Sequence, residues 1–138
     1  MEETLTRREV REGAFLILYQ TMFGCTPEEI AQADEEAFGL VKNEETDEIV
    51  NGVLSHSDEL EAVIAKYSTT RSVSRIAKIN MVIMKIAAYE MKYCERVPAA
   101  AAINEAVELS KKYAYKQDSG FINGVLNAYM EELNANES

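Results

Sequence analysis

Cysteine, proline, glycine and histidine are all scarce in this chain. Its 138 residues include two Cys, two Pro, six Gly and one His. Cys25 and Cys94 have neither the number nor the spacing of a zinc site or a disulfide framework, so both are expected as free thiols in a reducing compartment. No apolar run approaches the roughly 18 residues of a membrane-spanning helix. The amino terminus (Met1-Glu2-Glu3-Thr4-Leu5) begins acidic and lacks an apolar core, so a secretory signal is not expected and the cytoplasm is. No phosphate-cradling glycine loop or dinucleotide fingerprint occurs. His56, alone in an acidic stretch, reads as a surface or helix-terminal residue rather than a general base. The carboxylates between Glu28 and Glu61 lack the alternating spacing of a calcium loop. An enzyme, a cofactor and a bound metal are therefore not expected.

What is present is the balance of a globular domain, 47% apolar and 28% charged. A chain of this length buries roughly 68% of its unfolded surface and needs no staple. The net charge of −10 argues against a nucleic-acid partner when taken whole. Its distribution argues otherwise. Residues 28–61 hold 12 acids and one base (Lys42), whereas between Lys66 and Lys116 ten bases meet four acids. A local basic surface survives the acidic average, and the acidic stretch is expected as a solvated flank.

Apolar residues recur at three and four, which predicts an all-α fold of about seven helices. Thr6 followed by Glu9 is a capping box for the first, with Leu5 and Val10 as a staple; Val10, Ala14, Ile17, Leu18 and Thr21 form its inner face and Gly24 ends it. Thr26, Pro27 and Glu29 repeat that grammar for a second helix ending near Gly39, with Cys25 and Ile30 as its staple. A third is expected over 47–56 and a fourth over 58–67, with Ser57 between them as cap. A fifth, over 74–93, carries the stripe Ile76, Ile79, Val82, Ile83, Ile86 and Tyr89 or Glu90 of a buried central helix. Pro98 opens a sixth, to about Tyr113, with Ile103, Ala106, Val107 and Ser110 on one face. Asp118 or Ser119 caps a seventh, with Phe121, Ile122, Val125, Leu126, Tyr129 and Leu133 inward. The run Asn51-Gly52-Val53-Leu54 recurs as Asn123-Gly124-Val125-Leu126, placing each glycine mid-helix where another helix approaches closely. The echo is consistent with two small packed bundles in one domain, about 4–67 and 72–134.

Two constellations carry chemistry. Arg7, Arg8 and Arg11 stand in the first turns of helix one, with Phe15 on the next turn. Guanidinium groups grip phosphates in bidentate fashion, and an exposed ring stacks on an unpaired base. A solvated helix start with Phe15 in the core explains the same pattern, and the local excess of glutamate (Glu2, Glu3, Glu9, Glu12) favours it. The second is the run Ile103-Asn104-Glu105-Ala106-Val107-Glu108-Leu109 followed by Phe121-Ile122-Asn123-Gly124-Val125-Leu126. Most of it is core, and Asn104 and Glu105 serve equally well in structural hydrogen bonds.

Together with Arg7-Arg8-x-x-Arg11-Glu12-x-Ala14, Leu18-Tyr19, Ala87-x-Tyr89-Glu90 and Val97-Pro98, these runs stand in the order seen in the NusB family, which the chain resembles over nearly its whole length. The resemblance implies an all-helical fold of two bundles and a transcription antitermination factor. Such a factor binds the single-stranded boxA element of nascent ribosomal RNA together with the ribosomal protein NusE, in the service of the RNA polymerase elongation complex. It implies RNA contacts at Arg7, Arg8, Arg11 and Phe121, with Asp118 close by, and a NusE-facing side at Tyr89 and Glu90. Three positions depart from the family pattern: Glu9 within the arginine motif, Asn80-Met81 where an Asp-Arg pair is usual, and Gly120 where a lysine is common. Each lowers the phosphate-binding contribution, so weak RNA binding without NusE is expected. A helical adaptor that binds NusE with little RNA affinity is the alternative. The sequence leaves monomer or homodimer open.

Overall fold

In the computed structural model the residues described are 6–24, 29 and 44–137. The second capping box, its Cys25–Ile30 staple and the helix expected to run to Gly39 lie outside them, as does Leu5 of the first staple. Six α-helices and no strand occur among the described residues. They are α1 (Arg7–Thr21), α2 (Glu44–Ser55), α3 (Ser57–Tyr67), α4 (Lys78–Tyr93), α5 (Ala99–Tyr113) and α6 (Ser119–Glu137).

The first helix starts as its sequence dictates. The Glu9 backbone N–H donates to Thr6 Oγ1 at 3.1 Å, and the Thr6 N–H donates to Glu9 Oε1 at 2.9 Å. Two otherwise orphaned donors are thereby satisfied. Val10, Ala14, Ile17 and Leu18 are buried as expected. After Thr21 the chain turns out through Gly24, whose φ of +90° is the left-handed conformation that only glycine adopts freely.

Later boundaries shift for physical reasons. Helix α2 begins at Glu44, three residues earlier than expected, with Glu44, Glu45 and Asp47 in its first turn, where negative charge favours the helix dipole. Ser57 is the first residue of α3 rather than its cap; its hydroxyl accepts from Lys85 Nζ at 2.9 Å. The long stretch 74–93 divides into a 3₁₀ turn (Val73–Arg75) and α4. Between them Ile76 is extended (φ −78°, ψ 126°) yet still buried, so the apolar rhythm continues through a break that it does not reveal. Pro98 opens α5 as expected, from the capping position just before its first turn.

Helix α4 packs against all five others. Accordingly Asn80–Met84, Ile86–Ala88 and Glu90 are all buried, on nearly every side of the helix. A helix so enclosed is apolar almost all round, and its few polar residues need partners. No helix of the described residues is long and apolar enough to cross a membrane.

The paired glycines behave differently. Gly52 lies under Tyr89, as close helix approach requires. Gly124 is exposed with nothing near its missing Cβ, so the expectation of a close approach there is overturned. The four matching residues sit in unlike surroundings.

Candidate nucleic-acid interface

The three arginines of α1 meet carboxylates carried by α4 and α5. Arg11 is buried, and its Nε donates to Glu90 Oε1 at 2.7 Å. Arg7, about half exposed, donates from Nη2 to Glu90 Oε2 at 3.3 Å and stands 3.6 Å from Glu45. Glu90 is fully buried. Two guanidinium groups thus supply the charge compensation that a carboxylate in this position requires. Arg8 points outward, 63% exposed, and forms a fork with Glu105: Nε to Oε2 at 2.9 Å and Nη2 to Oε1 at 3.0 Å. This hydrogen bond, with the positive charge behind it, holds the Glu105 carboxyl below the usual carboxylate range. One turn further along, Glu12 receives Lys112 Nζ at 2.6 Å and the Tyr113 hydroxyl. The α1–α5 seam is therefore laced by side chains on both turns.

Four of the expected site residues are buried, Phe15 and Glu90 fully and Arg11 and Asp118 nearly so. Phe15 presents no ring to solvent: it is 1% exposed, stacked at 5.8 Å on Tyr19 and tilted against Tyr113 at 4.9 Å. The rotation of α1 that aims Val10, Ala14 and Leu18 at the core carries Phe15 inward with them. Glu90 is enclosed with α4, its carboxylate turned onto Arg7 and Arg11. Its neighbour Tyr89 is half-buried over Gly52 and lines a cleft with Glu48, Tyr93 and Arg96.

A second cluster gathers around the turn before α6. Asp118 is buried, accepting from Asn80 Nδ2 at 3.0 Å and from Arg71 Nη2 at 3.1 Å. The same Arg71 guanidinium lies 4.3 Å from the centroid of the partly buried Phe121 ring, a cation–π contact. Arg71 was not singled out from the sequence. It sits in a polar break between helices, and only the fold brings it to Asp118 and Phe121. The structure also shows what Asn80-Met81 does: Asn80 binds Asp118, and Met81 packs in the core. Beside this cluster a groove between α5 and α6 is lined by Asn104, Lys111, Ser119, Gly120 and Asn123.

His56 precedes α3, stacks on Tyr93 at 4.3 Å and faces Glu59 at 3.2 Å. Cys94 is a free thiol whose pKa is pushed up by burial. Glu44, Glu45, Asp47 and Glu48 are exposed, and residues 30–43 of the acidic stretch lie outside the described residues. No group of residues able to hold a metal ion occurs among the described residues.

Comparison with known proteins bears on the whole chain. The sequence model of the NusB family matches residues 8–131. The transcription antitermination protein NusB of Bacillus subtilis (strain 168) is 35% identical over 130 residues, covering 94% of this chain and 98% of that protein. The protein of the same description from Limosilactobacillus fermentum is 40% identical over 131 residues, covering 89% and 91%. Among solved structures, T. maritima NusB superposes with a TM-score of 0.79 at 22% identity, covering 94% of each chain. A chain from a complex of the antitermination factors NusB and NusE with dsRNA gives 0.74 at 24% identity, covering 91% of this chain and 96% of that one. At these identities the structural likeness speaks for the fold alone.

Proposed function

The chain belongs to the NusB family, and we propose on that basis that it is a transcription antitermination factor that binds single-stranded boxA RNA of nascent ribosomal RNA together with NusE. The observation that carries this reading is the near end-to-end likeness to proteins described as transcription antitermination protein NusB. Its action on the elongating polymerase belongs to the cytoplasm, and its chemistry is binding rather than catalysis.

Within that reading the RNA surface consists of Arg8, the exposed edge of Arg7, and Phe121 under Arg71. Exposed guanidinium groups hold the phosphate backbone while an aromatic face accepts a base. Arg11 and Asp118 support this surface from within, Arg11 by fixing Glu90 under Arg7 and Asp118 by holding Arg71 over Phe121. Phe15 belongs to the core. NusE is assigned to the cleft beside Tyr89, with Glu90 acting through the arginines it anchors. The helical adaptor with little RNA affinity draws on one observation, that each arginine of the motif already has a carboxylate partner.

Fluorescence anisotropy on labelled boxA RNA and a scrambled control, with and without NusE and across a salt series, tests the proposal. Preferential boxA binding that tightens with NusE, with a salt slope of several phosphate contacts, is expected. Equal, weak binding to both RNAs alongside intact NusE association would leave only the protein adaptor.

A further inference from the structure

We propose that Glu105 acts as an internal stand-in for an RNA phosphate, neutralising Arg8 in the free protein and lowering RNA affinity until it is displaced. The inference rests on the RNA-binding reading above and concerns how that surface is set.

Its basis is the geometry of one pair. Both Glu105 oxygens accept from Arg8, through Nε at 2.9 Å and Nη2 at 3.0 Å. This is the two-bond fork by which a guanidinium also grips a phosphate, so the carboxylate occupies the donors that a phosphate would use. Arg8 is 63% exposed, which lets the exchange occur at the surface. The other arginines are differently placed. Arg11 and Arg7 share Glu90, which is fully buried and out of reach of a polynucleotide backbone. Arg7 meets Glu45 only at the looser distance of 3.6 Å.

The other base whose charge acts on Glu105, Arg11, is held by Glu90. Lys112 is engaged by Glu12, and Lys111 stands 3.7 Å from Glu108. Once a phosphate takes Arg8, the Glu105 carboxylate is left beside a like charge. Each binding event therefore trades one ion pair for another and leaves the Glu105 carboxylate without its hydrogen-bonded partner. Glutamine at this position keeps an acceptor oxygen for Arg8 and removes the charge.

The test compares wild type, Glu105→Gln, Arg8→Ala and the double variant, each as the full chain with NusE, on labelled boxA RNA across a salt series. Glu105→Gln should bind roughly two- to fivefold more tightly, the range expected for one exposed ion pair. Its salt slope should steepen by up to about 0.7, one single-strand phosphate contact. In the Arg8→Ala background the gain should vanish. Glu105→Ala should show the same gain, and thermal melts of all variants establish that they are folded. Unchanged or weaker binding by both folded Glu105 variants would overturn the inference and make Glu105 a residue that positions Arg8. A gain that persists without Arg8 would overturn it too, leaving a general charge effect. The underlying RNA reading fails separately, if neither wild type nor Glu105→Gln distinguishes boxA from the scrambled RNA.

Discussion

The ring of Tyr89 covers Gly52 so closely that a Cβ placed on the glycine would lie 2.2 Å from the tyrosine Cζ. The ring is part of an aromatic row with Tyr93, at 5.5 Å, and His56, at 6.3 Å, so it has little room to retreat. Gly52→Ala is expected to destabilise the fold by about 1–3 kcal/mol through overpacking. Gly124, with open space above it, should respond in the opposite sense: Gly124→Ala is expected to stabilise α6 by up to about 1 kcal/mol. Denaturant midpoints of the two variants check the pair. Equal effects at both positions would contradict the packing difference.

The ion pair of Arg11 and Glu90 is structural in the first instance. Glu90→Ala strands the buried Arg11 and should cost about 3–5 kcal/mol, whereas Arg11→Ala leaves Glu90 with the half-exposed Arg7 and should cost less. Arg11→Glu should be worse, since it sets a second carboxylate against Glu90. Replacing both by methionine should recover most of the loss. Chemical denaturation of the singles and the double measures the coupling; additive losses would show that the pair is not coupled.

RNA binding should separate the exposed residues from the buried ones. Arg8→Glu and Phe121→Ala are expected to weaken boxA binding by the NusE complex while NusE association stays nearly intact. For Phe121 the loss of a base-stacking ring corresponds to about 1–3 kcal/mol. Phe15→Leu should lower the melting temperature and leave RNA affinity per folded molecule unchanged. Isothermal titration with each partner in turn distinguishes these outcomes. A specific RNA defect in folded Phe15→Leu would refute the assignment of that ring to the core alone.

Acid should weaken the molecule in a defined direction. Hydrogen bonds from Arg8, Lys92 and Lys66 hold Glu105, Glu59 and Glu132 below their ordinary value of 4.5. For Glu12 burial works the other way, but Lys112 and Tyr113 together outweigh it. Groups depressed on folding contribute stability above pH 4.5, and that contribution is lost as the pH falls through their lower folded values. Melting temperatures should accordingly drop from about pH 5 downward, and less steeply in Glu105→Gln. A melting temperature flat from neutral pH to about pH 3.5 would be inconsistent with these pairings.

What the sequence determined by itself is local. The Thr6–Glu9 box, the three-and-four rhythm and the inward faces of α1, α4 and α6 follow from spacings of a few residues, which helical geometry turns into a cap or a stripe. The order of short motifs was enough to reveal the family. Tertiary structure decided whatever depends on residues far apart in the chain. Arg8 meets a carboxylate 97 positions away and Arg11 one 79 away, so the motif alone did not show that its charges are already paired. Phe15 and Phe121 look alike as aromatics beside arginines, yet the first is sealed under Tyr19 and Tyr113 and the second reaches Arg71. Gly52 and Gly124 share the same four-residue run, but only one has a ring above it. The period of a helix states which residues share a face; what that face meets is decided by the packing of the other helices around it.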